Sequence, residues 1–206
     1  MDSFKVRFFI VALIVLLITS CSPDNDPTCP GDSIASVEIL PLKEGNIWLY
    51  KAFSYDPQGN VISTSEPSMS VSGDTMISGE RWYFVNSGLM TNKPGGLWIM
   101  SSFGEELIPY LFTKFPCSVG DSWLLGPQYT NSQSIGQCVS VSEVVVTQNG
   151  SYACYKYLIS SESGQRSEFY FRPGVGLVLL ENYVRNSMGS YYRVTRQELT
   201  AHRVTE

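Results

Sequence analysis

The chain is poor in the residues that most catalytic and metal sites need. It has one histidine, His202, four places from the end. Any Ser-His-Asp or Cys-His arrangement would have to recruit it from there. No C-x2-C pair and no second histidine supply metal-ligand spacing, so neither a metal nor a cofactor is expected. Basic residues are few and scattered, with 14 Lys and Arg against 19 Asp and Glu and a net charge of −5. Nucleic-acid binding neutralises phosphates with clustered Lys and Arg, so nucleic acid is not an expected partner. Long apolar runs are also lacking. The longest, Phe8 to Ile18, is eleven residues, against about 20 for a span of the hydrocarbon core. After residue 40 no stretch repeats apolar residues at the 3, 4, 7 spacing of a long helix.

The short apolar run follows Lys5 and Arg7 and gives way at once to Ser22, Pro23, Asp24, Asn25, Asp26 and Pro27. That is the order of a secretory signal. Ile18, Thr19, Ser20 and Cys21 resemble the lipobox of bacterial lipoproteins. The resemblance implies cleavage before Cys21, a diacylglycerol thioether on its thiol and acylation of its new amine. The lipid bilayer is then a partner through Cys21, and the location is the cell envelope at the outer membrane. Ser22, Asp24 and Asp26 resemble the serine-plus-acidic signature of surface-exposed lipoproteins in Bacteroidetes-type bacteria, interrupted here by Pro23 and Asn25. Removing residues 1–20 leaves 186, with 12 Lys and Arg against 18 Asp and Glu, a net charge of −6. Three segments are expected: signal peptide 1–20, acylated Cys21 with a flexible tether over 21–36, and one domain over 37–206.

Seventeen Gly, eleven Pro, four Trp, twelve Tyr and ten Phe point to an all-β domain. Hairpins are expected around Asp56-Pro57-Gln58-Gly59 and Asn149-Gly150, with breaks at Gly73-Asp74 and over Asn92 to Gly96. The Val139 to Val146 strand slips its alternation near Glu143, as a bulge would cause. Residues after Glu198 read as a tail. Pro41 to Trp48 and Pro116 to Trp123 both spell P-x3-G-x2-W, offset by 75 residues (41 to 116). Either two similar half-sheets or a chance match of turn residues would produce this. The G-x2-W motif, the G-S-Y-A-C-Y return and the F-Y-F-R-P-G-V-G-L-V pair resemble a group of uncharacterised bacterial lipoproteins. That resemblance implies a curved antiparallel sheet, half-barrel or sandwich-like, and no activity. Pro173-Gly174-Val175-Gly176 is a tight turn and not a phosphate loop, because a strand follows it where that chemistry needs a helix N-terminus.

Trp48, Trp82, Trp98 and Trp123 are the candidate ligand-binding residues, as rings that line a cleft together with Tyr50, Tyr83, Tyr152, Tyr155, Tyr157, Tyr170, Tyr183, Tyr191 and Tyr192; the alternative for each is the core or sheet surface. Three functions compete. The first is a non-catalytic binding module for a glycan, lipid or peptide. The second is a structural or assembly lipoprotein docking another envelope protein. The third is a hydrolase built from Asp121, Glu143, Glu168 and Glu181. No catalytic residue stands out, and the balance leans away from an enzyme. Cys29, Cys117, Cys138 and Cys154 remain after acylation of Cys21 and allow three pairings. Cys117 and Cys138 flank the Gly126-Pro127-Gln128 turn and are the candidate disulfide, against the alternative of buried thiols. The lipobox has a direct test. Labelled palmitate should enter the wild-type protein and not Cys21→Ala, and label retained in the variant would contradict the lipobox reading.

Overall fold

The computed structural model describes residues 37–103, 106–126 and 134–205. The signal run, Cys21, the tether with Cys29 and the Pro127-Gln128 part of the expected turn lie outside them. The described residues form no helix, and every strand pairing is antiparallel. The first hairpin is β1 (Ile47–Tyr55) with β2 (Val61–Ser65). After Pro67 the chain continues along β1 as β3 (Ser68–Ile77), then turns back as β4 (Glu80–Val85). The meander goes on through β5 (Gly88–Lys93), β6 (Gly95–Phe103) and β7 (Glu106–Phe115). A second meander holds β8 (Ser122–Leu125), β9 (Ser134–Thr147), β10 (Gly150–Ser161), β11 (Gln165–Arg172), β12 (Gly176–Arg185) and β13 (Tyr191–Arg203).

The last strand returns to the first: β13 pairs β1 from Ile47↔Arg203 to Ser54↔Thr195. The sheet order is therefore β7-β6-β5-β4-β3-β1-β13-β12-β11-β10-β9-β8, a nearly closed, barrel-like sheet. Its seam lies between β7 and β8, which are consecutive in the chain but share no ladder. Side chains bridge it instead. Trp123 Nε1 donates to the Phe112 carbonyl (3.1 Å) and Tyr157 Oη to that of Lys114 (3.0 Å). Phe112 meets Phe169 edge-on at 5.1 Å, and Phe115 meets Tyr155 at 5.2 Å.

The 75-residue repeat has a structural counterpart. Asn46 N–H donates to Lys43 O and Asp121 N–H to Ser118 O, at 3.1 and 3.0 Å. Gly45 N–H donates to Val71 O and Gly120 N–H to Cys138 O, both at 2.9 Å. The return bonds, Val71 to Asn46 and Cys138 to Asp121, are 2.9 and 2.8 Å. Gly45 and Gly120 take φ of 87° and 93°, where a side chain would be strained. Each motif thus starts a half-sheet by locking its turn onto a strand that pairs with the one it opens, β3 in the first half and β9 in the second.

Trp48 is fully buried, and its indole Nε1 donates to the Val175 carbonyl at 2.5 Å. A Cβ on Gly176 would fall 2.7 Å from Leu40 and 3.1 Å from that indole nitrogen, so the second glycine of the P-G-V-G turn makes room for the tryptophan. Truncating a core tryptophan typically costs about 3–5 kcal/mol. Tyr50, Tyr157, Val178 and Leu199 surround the same core, which Ile39, Leu40 and Leu42 cover from the N-terminal side.

Three local expectations are corrected. Residues 199–203 are not a tail: they pair with Ile47–Tyr50, and Thr205 donates through N–H and Oγ1 to the buried Asn46 Oδ1 at 2.8 and 2.9 Å. Gly73 does not end a strand. It sits at a register shift inside β3, so the chain bends there without turning. The break over Asn92 to Gly96 shrinks to the tight link at Pro94, because β5 and β6 pair up to Lys93↔Gly96. The slip near Glu143 appears as two register shifts between β9 and β10, opposite Ser140 and Glu143.

Candidate functional site

The four tryptophans do not form a cleft lining. Trp48 and Trp82 are buried, 0% and 1% exposed. Lys93 Nζ lies 4.9 Å from the Trp82 ring and 5.1 Å from that of Trp98, and is ion-paired with Glu80. The protein's own ammonium thus occupies the cation site between those two rings. Trp123 packs edge-on to Tyr157 at 5.9 Å and bonds Phe112 across the seam. Trp48 belongs to the main core cluster and Trp123 packs against it, whereas Trp82 and Trp98 lie outside that cluster, grouped with Lys93.

The ring-lined concavity lies elsewhere. A cleft of about 220 Å³ opens between the β1–β2 turn and the β12–β13 end of the sheet, lined by Tyr55, Asp56, Gln58, Tyr183, Tyr192 and Arg193 among others. The Asp56 carboxylate fixes the turn by accepting from Gln58 N–H, Asn60 N–H and Asn60 Nδ2, at 3.0, 2.8 and 2.9 Å. These hydrogen bonds, that from the Asn60 side chain foremost, hold its carboxyl below the usual range. The Arg193 guanidinium lies 4.5 Å from the Tyr55 ring centre and donates through Nη1 to Glu181 at 2.6 Å. Arg193 is therefore ion-paired, while Asp56 is hydrogen-bonded to neutral amide groups of its own turn. Tyr183 and Tyr192 are among the tyrosines expected to line a cleft, but Tyr55 and Arg193 are not, because the register of β1 on β13 is what brings the turn beside β12. The available signal was the tyrosine directly before an Asp-Pro-Gln-Gly turn.

A ladder of charges runs across β10 to β13. Glu168, Glu181 and Arg196 are direct cross-strand partners on β11, β12 and β13. Glu168, 5% exposed, accepts from Lys156 and Tyr170 Oη, both at 2.9 Å, and from Arg166. Glu181, 6% exposed, accepts from Arg193, Arg196 and Tyr183 Oη at 2.6, 2.9 and 3.0 Å. The other face of the same strands carries Tyr155, Tyr157, Phe169 and Phe171, in edge-on and stacked contacts. Of the four carboxylates considered for hydrolysis, Glu168 and Glu181 are thus adjacent, but each is held by two cations. Asp121 is bound to Lys114 Nζ at 2.9 Å, and Glu143 sits opposite Cys154. A general acid needs a carboxyl that stays protonated near neutral pH, and the donors around Glu168 hold its carboxyl below the usual range. Among the described residues no group of His, Cys, Asp and Glu could hold a metal ion.

No protein-family profile matches the chain, and no curated protein matches it. Two crystal structures resemble it in shape. One is a candidate lipoprotein from Parabacteroides distasonis, 14% identical, covering 81% of this chain and 99% of its own, with a TM-score of 0.45. The other is a candidate exported protein with a YmcC-like fold from Bacteroides fragilis, 13% identical, with the same coverage and TM-score. Likeness at that level transfers no function.

Burial alone would raise the Glu168 carboxyl, but the hydrogen bonds from Lys156, Tyr170 and Arg166 outweigh it, so it titrates below its usual range. A carboxyl depressed in the folded state stabilises the fold fully above the unfolded value, about 4.3, and the contribution is lost as pH falls through the folded value. Urea denaturation should therefore show wild-type stability falling below about pH 4.3. Glu168→Gln should be less stable at pH 7 and show a shallower acid decline. An equal acid slope in the two proteins would contradict this.

Proposed function

We propose that the protein is a lipid-anchored, non-catalytic binding module of the cell envelope, held through Cys21, and that its cleft takes a neutral, ring-bearing polar ligand, a saccharide unit. One observation carries the reading: three tyrosines, Tyr55, Tyr183 and Tyr192, surround a cleft whose only charged side chains are engaged within the protein. Aromatic faces stack on sugar rings. At about 220 Å³ it is smaller than the ~300–1,000 Å³ of drug-sized sites and suits a single ring of a longer chain. The signal run and lipobox support the envelope location, with the acidic residues after Cys21 favouring the outer membrane and the cell surface.

A second observation favours the assembly role. β8 pairs only Ser134 to Gln137 of β9, so beyond that point β9 has a ladder on its β10 side alone. Along it Val139, Val141, Val144 and Val146 are 39%, 39%, 67% and 69% exposed. An apolar strand edge of this kind accepts an added strand from another protein.

Titration calorimetry against a panel of envelope and host saccharides separates the two. Binding should weaken about tenfold, the loss of one ring contact of ~1.4 kcal/mol, in Tyr55→Ala and in Tyr192→Ala. Val144→Lys should leave it unchanged. A panel with no binder, or affinity unchanged by both tyrosine variants, would overturn the saccharide reading.

A further inference from the structure

The repeat places two thiols where the other half has apolar core residues. Counting 75 residues along, Leu42 corresponds to Cys117, and the shared turn-to-strand hydrogen bonds make Val71 correspond to Cys138. Leu42 and Val71 are 3% and 2% exposed members of the core. In the second half the two sulfurs lie 2.9 Å apart, with Cys138 fully buried and Cys117 half-buried. The halves differ in one respect that bears on this. β1 has a ladder on both sides, to β13 and to β2 and β3, whereas β8 has one only on its β9 side. β8 is also the shortest strand, four residues, and it borders the seam. The thiol pair therefore sits where a half-sheet lacks its second neighbour.

We propose that Cys117 and Cys138 are joined as a disulfide in the exported protein, stapling the turn before β8 onto β9 beside the open seam. The proposal rests on the envelope location, where thiols are oxidised. The oxidant is a disulfide-bearing thiol oxidoreductase or, in vitro, oxidised glutathione. The more accessible Cys117, as thiolate, attacks that disulfide and releases one thiol from it, leaving a mixed disulfide. Cys138 then loses its proton and attacks the Cys117 sulfur, expelling the second thiol. One S–S bond forms in the protein, one breaks in the oxidant, and two protons and two electrons pass to it. Burial pushes the Cys138 thiol up to about 12, so first attack falls to Cys117, and the 2.9 Å approach of the two sulfurs is what makes the second step intramolecular. Cys154 is separate. It is fully buried, faces Glu143 across the β9–β10 ladder where Cys138 faces Tyr157, and its thiol donates to the Tyr152 carbonyl at 3.7 Å.

The test is mass spectrometry of the full lipoprotein extracted from membranes, unfolded in alkylating agent and digested without reduction. The expected result is one cross-linked peptide pair containing Cys117 and Cys138, with Cys154 alkylated. Alkylation of both Cys117 and Cys138, or a link from either to Cys29, overturns the proposal. Reduced protein exposed to oxidised glutathione tells the two failures apart. A link formed there but absent in cells overturns the staple in the living cell and counts against an oxidising location, while no link in either sinks the geometry. Stability gives an independent reading. Reductant should lower the wild-type Tm by about 5–10 °C, the scale for closing a loop of this size. It should leave unchanged the double variant Cys117→Leu with Cys138→Val, which carries the first half's residues. A wild-type Tm indifferent to reductant overturns the staple.

Discussion

The ladder between the first and last strands is the constraint on which the rest of the structure depends. A meander of antiparallel strands is built from local hairpins, but its two ends are edges that invite pairing with other chains. Here β1 and β13 meet, so the domain's chain ends lie in the middle of the sheet, and among the described residues the free edges fall at β2, β7, β8 and the outer part of β9. That closure joins residues about 150 apart in sequence, as Leu49 O accepts from Thr200 Oγ1 with a separation of 151. Asn46 reinforces it, with its Nδ2 on the Pro41 carbonyl and its Oδ1 on Thr205. Placing the β1–β2 turn beside β12 and β13 is a consequence of the same register, and the tyrosine cleft exists because of it.

The two faces of β10 to β13 solve different problems. One face carries the aromatic side chains that reach across the seam to Phe112 and Phe115, replacing the missing ladder with ring contacts. The other carries carboxylates too buried to stand alone, each enclosed by two cations and a tyrosine hydroxyl. Leaving any one unpartnered would be costly, so the ladder is an all-or-none arrangement. Such a network holds four strands in one register.

Local features were legible in the sequence and long-range ones were not. Asp56-Pro57-Gln58-Gly59, the Asn149-Gly150 region and the P-G-V-G turn each encode their geometry within a few residues, through Asx hydrogen bonding or a required φ. Gly73 shows the limit, since an isolated glycine is compatible with a turn or a bulge and only the partner strand decides. The stretch after Glu198 misled for a related reason. Its polar residues Thr200, His202 and Arg203 resemble a tail, and their strand state comes entirely from β1. The tryptophans are the clearest case: the P-x3-G-x2-W spacing placed Trp48 and Trp123 in equivalent strands, yet nothing local distinguishes a ring that fills a core from one that lines a cleft.

If β1–β13 closure organises the domain and the β7–β8 seam is held by side chains alone, the two regions should differ in how their backbones open. Native-state hydrogen exchange measures this residue by residue. The account predicts that paired amides of β1 and β13 exchange only by global unfolding, and that β7 and β8 amides facing the seam exchange through smaller openings. Equal protection at the seam, or earlier opening of β1 and β13, would contradict it.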